Sequence, residues 1–98
     1  MSSPRNVVLL GATGSIGSNA LRILRAHPDK LRLVGASAHR NADALLEVAK
    51  EFGLRRICLT DEKARAEAAK NLPDDVELLG GSSGLEELAA TEEAHVVL

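Results

Sequence analysis

Three glycines spaced G-x-x-G-x-x-G, at Gly11, Gly14 and Gly17, are the residues of this chain whose types and spacing point most directly to chemistry. They close the apolar run in NVVLLGATGSIG (residues 6–17) and open an amphipathic one. Without a Cβ, Gly11 can make a sharp exit from a strand, Gly14 can admit a ligand to the main chain, and Gly17 can let a helix pack closely on a sheet. The first N–H groups of that helix have no partner within it, and the helix dipole adds partial positive charge at the same end. A pyrophosphate suits such a site. Ser15 and Ile16 would offer main-chain N–H groups, and Thr13 and Ser15 would add hydroxyls. The spacing alone also fits a ligand-free turn; the order strand, turn, helix is what favours binding.

A second group lies about twenty residues further on, where a carboxylate would accept hydrogen bonds from a ribose 2′-hydroxyl. The segment reads Ser37-Ala38-His39-Arg40-Asn41 and has no carboxylate. Arg40, always charged and donating in a planar fork, suits a 2′-phosphate instead. Ser37 and the Asn41 amide could assist. This favours NADP(H) over NAD(H). The plainer alternatives are an ordinary surface arginine at Arg40, a helix cap at Asn41 and an exposed neighbour at His39.

The elements that must position these groups follow from periodicity and breakers. A first strand leads into a helix over Ser15–Ala26, with Ile16, Ala20, Ile23 and Leu24 as its apolar face and His27-Pro28-Asp29 as its stop. His27 reads as a C-terminal helix residue. Leu31–Ala38 is the second strand, returning parallel to the first. Asn41 caps a second helix with Ala42, Leu45, Leu46, Ala49 and Phe52 on its apolar face, ending near Gly53. A third strand over 55–60 precedes an alanine-rich helix over 62–71, capped by Thr60 or Asp61. A short strand over 76–79 would extend the sheet beside the third, and Ser83 with Glu86 matches a capping box opening a helix over 83–91. The apolar run 94–98 reads as a buried strand beside the first, and the chain stopping within it reads as a cut. The expected fold is therefore α/β, a Rossmann-like, doubly wound, mostly parallel sheet in three α/β/α layers, truncated after the fourth main strand, with residues 1–98 forming one domain.

Composition narrows the function. A net charge of −2 with mixed signs supplies no broad basic surface, which argues against nucleic acid and anionic membranes as partners. There is no apolar run of membrane-spanning length and no secretory signal, so the expected location is cytoplasmic. A single cysteine, Cys58, in an apolar run reads as a buried structural thiol in a reducing compartment. His27, His39 and His95 lack metal-ligand spacing with any Cys, Asp or Glu cluster, and no nucleophile and base pair has motif support. The acidic residues Glu62, Glu67, Glu86 and Glu87 read as solvated helix faces.

GATGSIGSNALRIL, the helix ending in HP, LRLVGASA followed by an Arg-Asn pair, and GLEELA together resemble the N-terminal NADPH-binding domain of the 1-deoxy-D-xylulose 5-phosphate reductoisomerases across essentially the whole chain. The resemblance implies an oxidoreductase of isoprene biosynthesis by the non-mevalonate pathway. Such an enzyme isomerises 1-deoxy-D-xylulose 5-phosphate and reduces the product with NADPH to 2-C-methyl-D-erythritol 4-phosphate, using a divalent metal, Mg2+ or Mn2+, as a homodimer. It implies that Thr13, Gly14, Ser15 and Ile16, within the turn shaped by Gly11 and Gly17, hold the cofactor's phosphates and that Arg40 and Asn41 hold the 2′-phosphate end. His39 departs from the pattern, since the family often has glycine there. The family's metal-binding carboxylates, substrate-phosphate site and active-site loop match nothing in these residues, so catalytic and metal residues are expected elsewhere and the chain alone is expected to be inactive. The alternatives are another NADP-dependent reductase with a GATG turn, or a stand-alone nucleotide-binding or redox-sensing module.

Overall fold

A computed structural model describes residues 4–91 and 96–97. The apolar runs form strands β1 (Arg5–Leu9), β2 (Leu31–Ala38), β3 (Arg56–Leu59), β4 (Glu77–Gly80) and β5 (Val96–Val97). All pair in parallel in one sheet of order β4-β3-β2-β1-β5. The short strand does extend the edge beside β3, and the last strand lies beside β1; the rest of the expected 94–98 strand lies outside the described residues.

Helices α1 (Ser15–Ala26), α2 (Ala42–Phe52) and α3 (Glu62–Ala68) connect successive strands, a 3₁₀ turn at Ala69–Asn71 continues α3, and α4 (Gly81–Ala89) follows β4. Strands buried on both faces need helices on both, and two apolar clusters show how they are shared. Val7 and Leu9 of β1, Leu33, Ala36 and Ala38 of β2, and Ile57 and Leu59 of β3 pack with Leu21 and Leu24 of α1, Leu45, Val48 and Ala49 of α2, and Ala68 of α3. On the other face a smaller cluster joins Val8, Cys58 and Leu79 to Leu88 of α4. The three expected layers are present.

Breakers and caps set the helix ends. Asn41 Oδ1 accepts from the Ala44 N–H at 3.2 Å and Asp61 Oδ2 from the Ala64 N–H at 3.0 Å. Gly53 closes α2 in the left-handed region (φ 64°), and His27 is the C-cap of α1. Arg25 joins the C-terminal ends of α1 and α2, pairing with both oxygens of Glu51 and lying 5.9 Å over the Phe52 ring.

Two expectations change. The α1 face toward the sheet consists of Gly17, Leu21 and Leu24, with Ala20 half-buried, while Ile16 is 86% and Ile23 55% exposed. The helix is turned so that Gly17, not Ile16, meets the preceding turn. The capping box at Ser83 is also absent: α4 starts at Gly81 with Gly80 as N-cap and no side-chain cap bond. Gly81 takes φ 69°, so the chain turns from β4 straight into the helix two residues before Ser83.

Candidate functional site

The glycine turn joins β1 to α1 at the end of the sheet where the parallel strands finish. Gly11 has φ 74°, a conformation that side chains with a Cβ rarely adopt. A Cβ on Gly17 would collide with the Gly11 carbonyl oxygen and lie 2.7 Å from the Ala12 Cα and carbonyl carbon. Gly17 therefore fixes how closely α1 approaches the turn. Gly14 differs from both. It is exposed, has φ −82°, and a Cβ there would meet nothing closer than the Gly11 oxygen at 3.8 Å.

Gly14 is the N-cap of α1, no side chain caps the helix, and its first turn has no acidic residue. Among the described residues the N–H groups of Ser15, Ile16 and Gly17 have no backbone or side-chain acceptor, while the Ser18 N–H donates to Gly14 O at 2.8 Å. The exposed Ser15 and Ile16 donors and the positive end of the helix dipole thus meet solvent together, while Gly17 is buried. By contrast α2 and α3 begin with a side-chain cap and an acidic first turn. Thr13 is half-buried; Ser15 and the Ile16 side chain are exposed beside these donors.

Ser37 takes a different place from the one its sequence position suggested. It is 3% exposed, and its Oγ accepts from the Gly11 N–H at 3.0 Å while its carbonyl accepts from the Ala12 N–H at 2.7 Å. The hydroxyl is consumed in pinning the glycine turn to β2 and is withdrawn from the surface. Its signal in the sequence was a polar residue inside an apolar strand, which must find a partner when buried.

Past β2, Arg40 and Asn41 are exposed at the same end of the sheet as the turn. The Arg40 side chain is 76% exposed, and its Nε lies 3.8 Å from Asp61 Oδ1. Asn41 uses Oδ1 as the α2 cap, leaving its amide hydrogens to donate outward. The β2–α2 and β3–α3 junctions are tied by the Thr60 N–H to Ala38 O (3.1 Å), the Asp61 N–H to His39 O (2.9 Å), and His39 Nδ1 against Thr60 Oγ1 (2.7 Å). By residue type Asp61 reads only as a helix cap; no local signal links it to Arg40, because their proximity depends on β2 pairing with β3.

Elsewhere, Cys58 is fully buried, and burial pushes its thiol up from the ordinary value, partly offset by the Arg65 guanidinium. Among the described residues no group of three His, Cys, Asp or Glu side chains is arranged to hold a metal ion, and no helix is long and apolar enough to cross a membrane. Two clefts of about 650 and 840 Å³ open where the strands begin, share Gly53 and Arg55 in their linings, and touch neither the glycine turn nor Arg40.

Parallel strands in this order, with helices on both faces and a glycine-rich first turn, define a Rossmann-like α/β domain. Within that class the chain belongs to the 1-deoxy-D-xylulose 5-phosphate reductoisomerase family, whose model matches residues 7–98. A reductoisomerase from Thermodesulfovibrio yellowstonii is 39% identical over 94 residues, 96% of this chain and 24% of that protein. A DOX-P reductoisomerase solved with magnesium superposes with a TM-score of 0.90 at 34% identity over 97% of this chain and 24% of its own. The Zymomonas mobilis enzyme solved with NADPH gives 0.83 at 30% identity, over 93% and 24%. The chain thus spans about a quarter of the length of the relatives it matches.

Proposed function

We propose that residues 1–98 are the NADPH-binding part of a 1-deoxy-D-xylulose 5-phosphate reductoisomerase, a cytoplasmic enzyme converting 1-deoxy-D-xylulose 5-phosphate to 2-C-methyl-D-erythritol 4-phosphate as a homodimer. The observation that carries this reading is the uncapped N-terminus of α1 sharing one end of the sheet with Arg40. The open face of Gly14 suits the approach of a phosphate to the main chain.

In this reading the N–H groups of Ser15 and Ile16, with the Thr13 and Ser15 hydroxyls, hold the pyrophosphate, while Gly11 and Gly17 give the turn its shape. Arg40 and the Asn41 amide hold the 2′-phosphate. Bound NADPH supplies the hydride; these residues orient it and neutralise its charge, and they move no proton. In this reading the Mg2+ or Mn2+ and the sugar phosphate would be held by the part of the relatives' length that this chain does not span.

Titration calorimetry with NADPH and NADH tests the reading. NADPH should bind at least about tenfold more tightly, and Arg40→Ala should remove most of that difference, as expected for charge-assisted bonds worth about 1.5–3 kcal/mol. Equal affinities for the two cofactors would overturn it.

A further inference from the structure

We propose that His39 is a further ligand of the adenosine 2′-phosphate, held in place by Thr60. The inference rests on the reading that Arg40 marks that end of the cofactor. It starts from the contrast between the exposure of His39 and the tethering of its ring and main chain. Its carbonyl accepts from the Asp61 N–H at 2.9 Å, the preceding Ala38 carbonyl accepts from the Thr60 N–H at 3.1 Å, and its Nδ1 lies 2.7 Å from Thr60 Oγ1. An exposed imidazole loses rotamer freedom when it is held like this, and Nε2 makes no hydrogen bond among the described residues.

Thr60 suits the role in either charge state. When the imidazole is neutral, the hydroxyl can donate to Nδ1, which leaves the proton on Nε2; when it is cationic, Nδ1–H can donate to the hydroxyl. Nε2 presents a hydrogen to an anion in both cases. Arg40 is next in the chain, and the two side chains reach consecutive residues of the β3–α3 junction, His39 to Thr60 and Arg40 to Asp61, so two donors of different shape share the end of β2. The other charges at the adjoining helix starts are Asp61, Asp43 in the first turn of α2, and Glu62 and Lys63 in the first turn of α3. Asp61 already accepts from the Ala64 N–H and faces Arg40, and the glycine turn contributes no charge. A phosphate at Arg40 is therefore met by His39 from the β2 side and by the Asn41 amide from the helix cap.

The test is calorimetric titration of the 98-residue chain with NADP+ and NAD+. His39→Gln should weaken NADP+ binding by about threefold to tenfold, with NAD+ unchanged. Thr60→Val should reproduce part of the loss. No loss, or a parallel loss of NAD+, overturns the assignment, the second marking a purely structural histidine. If NADP+ is preferred and Arg40→Ala abolishes the preference while His39→Gln does nothing, only His39 is refuted. If there is no preference and Arg40→Ala has no effect, the Arg40 reading falls and His39 with it.

Discussion

Replacing Gly17 and Gly14 separately by alanine should divide the glycine turn into a packing half and a binding half. On helix propensity alone Gly17→Ala would gain about 1 kcal/mol, because glycine in a helix gives up more backbone entropy. The structure opposes this. The new methyl would run into the Gly11 oxygen and stand 2.7 Å from two backbone atoms of Ala12, roughly 1 Å inside ordinary carbon contact. Those neighbours are main chain, so no side chain can swing aside, and Ala12 is itself buried and bonded to Ser37. Overpacking of this kind costs about 1–3 kcal/mol, or more when backbone must move. With the cost at the top of that range and the propensity gain subtracted, the expected net loss is about 2 kcal/mol, a sizeable part of the roughly 5–15 kcal/mol that holds such a domain together.

The assay is urea unfolding followed by far-ultraviolet circular dichroism, since the chain has no Trp or Tyr for fluorescence. With a slope of about 1–3 kcal/mol per molar urea, Gly17→Ala should lower the midpoint by about 0.7–2 M. Gly14→Ala should lose no more than about 1 kcal/mol, through a poorer N-cap, because its φ of −82° suits alanine and its nearest neighbour is 3.8 Å away. It should nonetheless bind NADPH at least about tenfold more weakly, its methyl blocking the approach to the α1 donors. A Gly17→Ala protein as stable as the parent would refute the packing argument, and a Gly14→Ala protein with undiminished NADPH affinity would refute the binding argument.

The smaller cluster depends on Leu88, fully buried and resting over Gly35, where a Cβ would come within 2.9 Å of Leu88 Cδ1. Leu88→Ala should cost about 2–5 kcal/mol by urea unfolding. Cys58 should react with a disulfide reagent only as fast as the chain opens, because it is inaccessible and its raised pKa keeps it a thiol; rapid labelling of the native protein would contradict its burial. The Arg25 bond lowers the Glu51 pKa, so the stabilisation is complete above the ordinary carboxylate value and is lost as pH falls through the depressed one. Glu51→Gln should therefore flatten the acid limb of thermal stability in low salt.

Where a pattern and a breaker coincide, the elements were legible from the sequence. Pro28 ends α1, Gly53 ends α2, and Asn41 and Asp61 cap as their types suggest. The rotation of α1 was not legible, because apolar counting favours Ile16 and Ile23 and gives no weight to a glycine. Gly17 and Leu21, four residues apart, and Leu24, three further on, form an equally helical stripe, and the close approach at Gly17 selects it. The start of α4 was missed for a related reason: a left-handed glycine can turn the chain without the Ser83 cap. At the site, the turn and Arg40 stood out as residue types, whereas the anchoring by Ser37 and the approach of Asp61 to Arg40 exist only once β2 lies between β1 and β3.

One irregularity in β2 accounts for much of that non-local arrangement. Val7 pairs with Leu33 but Val8 pairs with Gly35, so Val34 is an extra residue against β1. Strict alternation from Leu33 would send Gly35 and Ser37 to the α1–α3 side and Ala36 and Ala38 to the other. The insertion reverses this: Ala36 and Ala38 join Leu33 in the larger cluster, and Gly35 comes under Leu88 of α4. Ser37, paired with Cys58, moves to the same side as Gly35, where its hydroxyl receives the Gly11 N–H. A single added residue therefore sets both the docking of α4 and the anchoring of the glycine turn. Deleting Val34 should weaken both together, even though it leaves every residue of the proposed cofactor site in place.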